Sequence, residues 1–139
     1  MTKEELVYEA IEARDLSYSP YSKFAVGAAL LTTDGEIYRG ANIENASFGL
    51  TMCAERNAIY NAYCHGISQD DIEALAIVAD TELPVSPCGA CRQVLSELFP
   101  HDKKIYLANL KGDIKETTVD ELLPYSFDSE DLWKADLFL

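Results

Sequence analysis

Ala74-Leu75-Ala76-Ile77-Val78-Ala79 is an uninterrupted apolar run closed by Asp80, and behind it Pro84 and Pro87 lead into a segment, Cys88 to about Phe99, that reads as a helix. So short an apolar run suits a strand buried on both faces, which needs a layer of structure above it and another below. Downstream, Ile105–Asn109 reads as a strand, Gly112 as a turn and Ile114–Thr117 as a shorter strand. Thr118–Leu123 follows as a single capped turn and Ser129–Leu139 as a short helix. Upstream, Thr51–Tyr63 is helical in pattern and ends at His65-Gly66, and Asn42–Leu50 is too polar and irregular for a strand. Phe24–Thr32 and Glu36–Asn42 read as paired strands joined by a two-residue hairpin at Asp34-Gly35. Thr2-Lys3-Glu4-Glu5 fits a capping box that opens a helix running to about Leu16, with Leu6, Ala10 and Ala13 at helical spacing before Pro20 stops it. The order α-β-β-α-β-α-β-β-α predicts an α/β fold over residues 1–139 as one domain: a three-layer α/β/α arrangement around a mixed sheet of about five strands. Ligands in such folds bind at the carboxyl ends of strands, and both Cys53 and Cys88 fall at predicted helix starts.

The composition narrows the partners. Eleven basic residues against 24 acidic give a net charge of −13, which repels a phosphate backbone and argues against nucleic acid as substrate. No stretch approaches the ~18 apolar residues that a membrane span needs, and the charged start Met1-Thr2-Lys3-Glu4-Glu5 lacks a signal peptide's apolar run. The expectation is a cytoplasmic protein with no membrane partner.

The four cysteines are Cys53, Cys64, Cys88 and Cys91. Without a secretion signal, reduced thiols or metal ligands are the expected state. Cys88-Gly89-Ala90-Cys91 places two sulfurs on one face of a helix's first turn, where the helix N-terminus favours thiolate. Cys53 can add a third ligand, and three protein ligands leave one tetrahedral position of Zn²⁺ open for chemistry. A redox pair is the alternative reading of Cys88 and Cys91. A structural four-cysteine site would need Cys64, about three turns or ~16 Å along the helix of Cys53, too far for one tetrahedron. Cys64 is expected to be a buried, inert thiol. Glu55, two residues after Cys53, is placed to handle protons on a metal-bound water. Three thiolates leave the zinc centre with a net charge of about −1, and Arg56 is the candidate to draw charge off their sulfurs.

The chain resembles the small, homotetrameric, three-cysteine type of cytidine deaminase. The resemblance rests on Tyr21-Ser22-Lys23-Phe24, Val26-Gly27-Ala28-Ala29-Leu30, Asn42-Ile43-Glu44-Asn45, Cys53-Ala54-Glu55-Arg56 and Pro87-Cys88-Gly89-Ala90-Cys91-Arg92-Gln93, in that order along nearly the whole chain. It implies one Zn²⁺ per subunit on Cys53, Cys88 and Cys91, whose activated water attacks C4 of free cytidine or deoxycytidine. Glu55 would take the water's proton, deliver it to N3 and then protonate the departing amine. Asn42 and Glu44 would hold the ribose, Phe24 would pack on the pyrimidine, and Ala54 would contact the base through its backbone. A carboxylate at Glu44 beside the sugar repels a 5′-phosphate, which favours nucleosides over nucleotides. Phe127, an aromatic in a polar stretch after Pro124, would stack on the base in a neighbouring subunit's pocket, so that active sites are shared across a homotetramer. The apolar end Leu137-Phe138-Leu139 is suited to an interface. Phe48 departs from relatives, which often have Tyr there, and has no hydroxyl to offer the sugar. Other readings stay open: deamination of another small base or an aminonucleoside antibiotic, a deoxycytidylate deaminase, and a catalytically idle zinc-binding interaction module.

Overall fold

The computed structural model describes the backbone of residues 1–136 and the side chains of residues 1–132. Helix α1 (Lys3–Arg14) starts at Thr2, whose hydroxyl accepts from the Glu5 N–H while the Glu5 carboxylate accepts from the Thr2 N–H, the expected capping box. Strands β1 (Val26–Thr32) and β2 (Ile37–Ala41) follow, then helix α2 (Ala54–Cys64), β3 (Ile72–Ala79), α3 (Gly89–Leu98), β4 (Lys104–Asn109) and β5 (Ile114–Thr117). A turn-length helix α4 (Val119–Leu122) and helix α5 (Ser129–Asp136) complete the chain; Leu137-Phe138-Leu139 lie outside the described residues. No helix among the described residues is long and apolar enough to cross a membrane.

The five strands form one sheet in the order β2-β1-β3-β4-β5. Among the described strands only β3 and β4 run parallel, with α3 as the crossover that a parallel pair requires. Alternation along each strand sends side chains into two separate cores. Ala28, Leu30, Leu75, Ile77, Ile105 and Leu107 face α2 and α3, packing with Ile59, Leu95 and Phe99. Ala29, Ala74, Ala76, Val78 and Ala108 face α1, meeting Leu6, Val7 and Ala10. The predicted three-layer mixed sheet is therefore present. Fully buried side chains such as Phe99, Ile77 and Leu95 each stabilise it by roughly 1.5–3 kcal/mol relative to exposure.

The hairpin differs from its prediction. The Gly35 N–H donates to Thr32 O at 3.1 Å, Gly35 takes φ +92°, and the loop is Thr33-Asp34-Gly35, three residues instead of two. The Thr32 hydroxyl accepts from the Glu36 N–H and donates to Asp34, which favours a type I turn closed by a left-handed glycine over the tighter Asp-Gly turn. Two other glycines set layer spacing. A Cβ on Gly27 would lie 2.1 Å from Ala10 O, and one on Gly40 would lie 2.4 Å from Ala54 O. Helices α1 and α2 thus press directly on the sheet backbone, and at Gly40 that contact fixes the first turn of α2.

The register gathers the expected site residues at one end of the sheet. Val26, at the start of β1, pairs with Ala79, at the end of β3, and Gly27 pairs with Ala41, at the end of β2. The chain entering β1, the chain leaving β2 and the loop leading from β3 into α3 therefore meet there, beside the start of α2.

Candidate active site

Two helix starts place the sulfurs. Cys53 is the N-cap of α2 and Cys88 the N-cap of α3, both with extended backbone, and neither thiol is used as a cap. Cys91 follows in the first turn of α3 and is fully buried, while Cys88 is exposed and Cys53 is intermediate. The three Sγ atoms all lie within 4.8 Å of one another, and Cys88 Sγ is 3.4 Å from Cys91 Sγ. Tetrahedral Zn–S bonds of about 2.3 Å put sulfurs about 3.8 Å apart, so this donor set fits Zn²⁺ closely. Hydrogen bonding between Cys91 and Cys53 holds the Cys53 thiol below the usual thiol range and pushes Cys91 above it. Arg56, one turn along α2, aims Nη2 at Cys53 Sγ at 3.2 Å, and its Nε is buried without a hydrogen-bond partner. Cys64 is not part of the cluster. It is exposed, contrary to the buried thiol expected, because α2 turns Ala58, Ile59 and Ala62 to the core and Cys64 lies about 200° round from Ala62.

Beside the sulfurs is a cavity of about 250 Å³ whose lining includes Cys53, Ala54, Glu55 and Cys88 together with Phe24, Asn42, Glu44 and Phe48. Glu55, second residue of α2, is buried, and that burial raises its carboxyl above the usual range. A carboxyl raised in this way holds a proton more readily than an exposed one, which suits a group that carries protons.

Asn42 and Glu44 flank an isolated bridge in which Ile43 pairs with Tyr18 and Met52. Both side chains are buried and hold the preceding loop. Asn42 Oδ1 accepts from the Val26 N–H (2.9 Å) and the Ser17 hydroxyl, and its Nδ2 donates to Phe24 O at 2.7 Å. Glu44 Oε1 accepts from the Tyr21 and Ser22 N–H groups at 3.0 and 3.1 Å, and Oε2 accepts from the Ser22 hydroxyl. These bonds, the Ser22 hydroxyl foremost, hold the Glu44 carboxyl below its usual range, so it is charged at neutral pH.

Sequence reasoning left several lining and bracing residues unassigned. Val85 and Ser86 line the cavity ahead of Cys88. Arg92 donates from Nε to Pro87 O (2.8 Å), from Nη2 to Ser86 Oγ (2.7 Å) and from Nη1 to Leu122 O (2.8 Å), so it secures the loop into Cys88. Asn57 Nδ2 donates to Ala41 O at 2.7 Å and ties α2 to the end of β2. The only available signal was that Arg92 and Ser22 fall inside motifs already singled out. Phe127 does not line its own chain's cavity; it is 55% exposed, and its carbonyl accepts from Gln93 Nε2 at 2.9 Å.

Residues 1–108 match the family model described as the cytidine and deoxycytidylate deaminase zinc-binding region. A cytidine deaminase of Halalkalibacterium halodurans is 60% identical over 132 residues, 95% of this chain and 98% of that one. A cytidine deaminase of Sporosarcina psychrophila is 56% identical over 132 residues, 95% of this chain and 96% of that one. The crystal structure of cytidine deaminase from Burkholderia pseudomallei superposes with a TM-score of 0.89 at 46% identity, covering 91% of this chain and all of that one.

Proposed function

The chain belongs to the cytidine and deoxycytidylate deaminase family, and from that premise we propose that it hydrolyses free cytidine and deoxycytidine to uridine and deoxyuridine with release of ammonia. The observation that supports this most directly is a buried carboxyl, Glu55, lining one small cavity together with Cys53 and Cys88 of a three-sulfur metal set. Cys53, Cys88 and Cys91 would hold Zn²⁺, which would supply the Lewis acidity that makes a water nucleophilic at neutral pH. Glu55 would take one proton from the attacking water and pass it to N3 as the C4–O bond forms, then take the second from the hydroxyl now on C4 and give it to the amine as the C4–N bond breaks, so one water is consumed and one ammonia released. Its raised pKa suits a group that must act first as base and then as acid. Arg56 offsets thiolate charge at Cys53. Phe24 packs on the pyrimidine, and Ala54 meets the base through its backbone.

Hydrogen-bond capacity supports a specific reading of the sugar contact. A carboxylate has about four acceptor positions, and Glu44 has three filled by Tyr21 and Ser22. An amide nitrogen has two hydrogens, and Asn42 Nδ2 uses one on Phe24 O. One acceptor and one donor remain, which one hydroxyl satisfies by donating to Glu44 and accepting from Asn42. Cytidine and deoxycytidine share the 3′-hydroxyl, so this is the group read, and both substrates are taken. A 5′-phosphate meets the charged Glu44 carboxylate and is rejected. At 250 Å³ the cavity lies below the roughly 300–1,000 Å³ of drug-sized pockets, in keeping with a small ligand.

Phe24 and Phe48 line the cavity and yet are 40 and 63% exposed. This supports closure by neighbouring copies in a homotetramer, with Phe127 of one subunit entering the site of another. The test is ammonia release from cytidine, deoxycytidine, CMP and adenosine, with bound zinc measured alongside. Turnover of the two nucleosides but not of CMP or adenosine is the expected result; preferred turnover of CMP would refute the reading.

A further inference from the structure

We propose that Ser22 is a positioning residue for sugar recognition, its hydroxyl fixing the Glu44 carboxylate so that one acceptor position stays turned to the substrate. This rests on the reading of Glu44 given above. The Ser22 hydroxyl donates to Glu44 Oε2 while its oxygen accepts from the Phe24 N–H at 3.0 Å, and the Ser22 N–H donates to Glu44 Oε1 at 3.1 Å. One residue therefore holds both oxygens of the carboxylate and the backbone of the ring expected to pack on the base. Lys23, between Ser22 and Phe24, takes a left-handed conformation at φ +60°, which folds the Phe24 N–H back over the Ser22 oxygen as a side-chain turn.

The geometry explains why a hydroxyl is needed at this position. Peptide N–H groups of Tyr21 and Ser22 both bond Oε1 and leave the carboxylate free to rotate about that anchor. The Ser22 hydroxyl is the only side-chain donor on Oε2 among the described residues, so it sets the plane of the carboxylate and the direction of the remaining lone pair. Ser22 itself lines the cavity, as do Asn42 and Glu44. It touches the carboxylate and acts on substrate through it.

The experiment compares Ser22→Ala, Ser22→Thr and Glu44→Gln as zinc-loaded proteins, using deoxycytidine and 2′,3′-dideoxycytidine, which lacks the 3′-hydroxyl. Ser22→Ala should raise KM for deoxycytidine about tenfold with kcat within about twofold, the loss of one hydrogen bond to a charged group. KM for dideoxycytidine should rise less than about threefold, the share of the lost Phe24 N–H anchor that both substrates feel, since no hydroxyl is left to misalign. Ser22→Thr, which keeps the hydroxyl, should restore most of the deoxycytidine KM, and adding Ser22→Ala to Glu44→Gln should cost little more than Glu44→Gln alone. An equal KM penalty on both substrates, or an unchanged KM for deoxycytidine, overturns the role of Ser22. If Glu44→Gln itself leaves the preference for deoxycytidine over dideoxycytidine intact, the sugar reading of Glu44 fails instead. Should Thr not be accommodated, the affinity of Ser22→Ala for the products deoxyuridine and 2′,3′-dideoxyuridine, measured by calorimetry, decides the same question.

Discussion

Glu55→Gln removes the proposed proton carrier while keeping its shape, and the structure sets both the stability and the rate that should follow. Glu55 is 5% exposed, and burial raises its carboxyl pKa, so the ionised form is disfavoured where it sits. A neutral amide of the same size relieves that desolvation and gives up the attraction of a negative side chain to the start of α2, about 0.3–1 kcal/mol. The two effects oppose each other, so net stability should change by no more than about 1 kcal/mol, or about 4 °C in Tm for a chain of this size. The rate should respond very differently. General acid–base help contributes roughly 10²–10⁴-fold per proton transfer, and Glu55 serves at least two transfers. A fall in kcat of at least about 10⁴-fold is expected, equivalent to about 5.4 kcal/mol of transition-state stabilisation. The assay is ammonia release at saturating cytidine near neutral pH, with zinc content and thermal unfolding measured on the same preparation. Turnover within about tenfold of the parent, with zinc fully retained, would refute the assignment of Glu55. Loss of zinc or of fold would instead mean that the carboxyl is part of the scaffold.

Arg56→Gln removes the 3.2 Å contact to Cys53 and should either release zinc to a chelator faster or move the pH–activity profile to higher pH; an unchanged profile with full zinc separates Arg56 from the chemistry. Phe127→Ala should raise KM by about tenfold or more while each subunit keeps its zinc, and mixing it with Glu55→Gln subunits should restore some activity through hybrid sites. A fully active monomer at assay concentration would end the shared-site proposal. His101 lies between two acceptors, Ser96 O at 2.6 Å from Nε2 and Asp120 at 2.8 Å from Nδ1, and these raise its pKa above 6.5. Its contribution to stability is therefore complete below about pH 6.5 and is lost as pH rises through the folded-state value. The Tm gap between the parent and His101→Gln should narrow from pH 6 towards pH 9, and a gap that widens contradicts the assignment.

The strands were legible because each has a pattern that only a strand in that layer can satisfy. Ala74–Ala79 is apolar at every position because α1 covers one face and α2 with α3 the other. β5 lies at the sheet edge and shows only partial burial, yet the turn at Gly112, with φ +95°, marked its start. Sequence patterns were less informative where side chains settle local geometry. Asp34-Gly35 alone suggests a two-residue turn, and only the Thr32 hydroxyl, bonded to both Asp34 and Glu36, selects the longer loop. Cys64 invited a buried reading because cysteine is so often internal, whereas its position on α2 turns it to solvent.

The site divides along a similar line. Cys53, Cys88 and Cys91 could be grouped from the sequence because helix starts and a three-residue spacing leave few ways to direct the sulfurs. The sugar end had no such local rule. Asn42 and Glu44 belong to the chain leaving β2, while their partners Ser17, Tyr21, Ser22, Phe24 and Val26 lie 16 to 25 residues earlier. Antiparallel pairing of β1 with β2 brings these two segments together, and no spacing in the sequence announces it. Once paired, the polar groups nearly exhaust one another's hydrogen-bonding capacity. What the cavity offers a sugar is therefore the remainder of an internal network, and substitution of a loop residue that acts through Glu44 should alter which sugars bind.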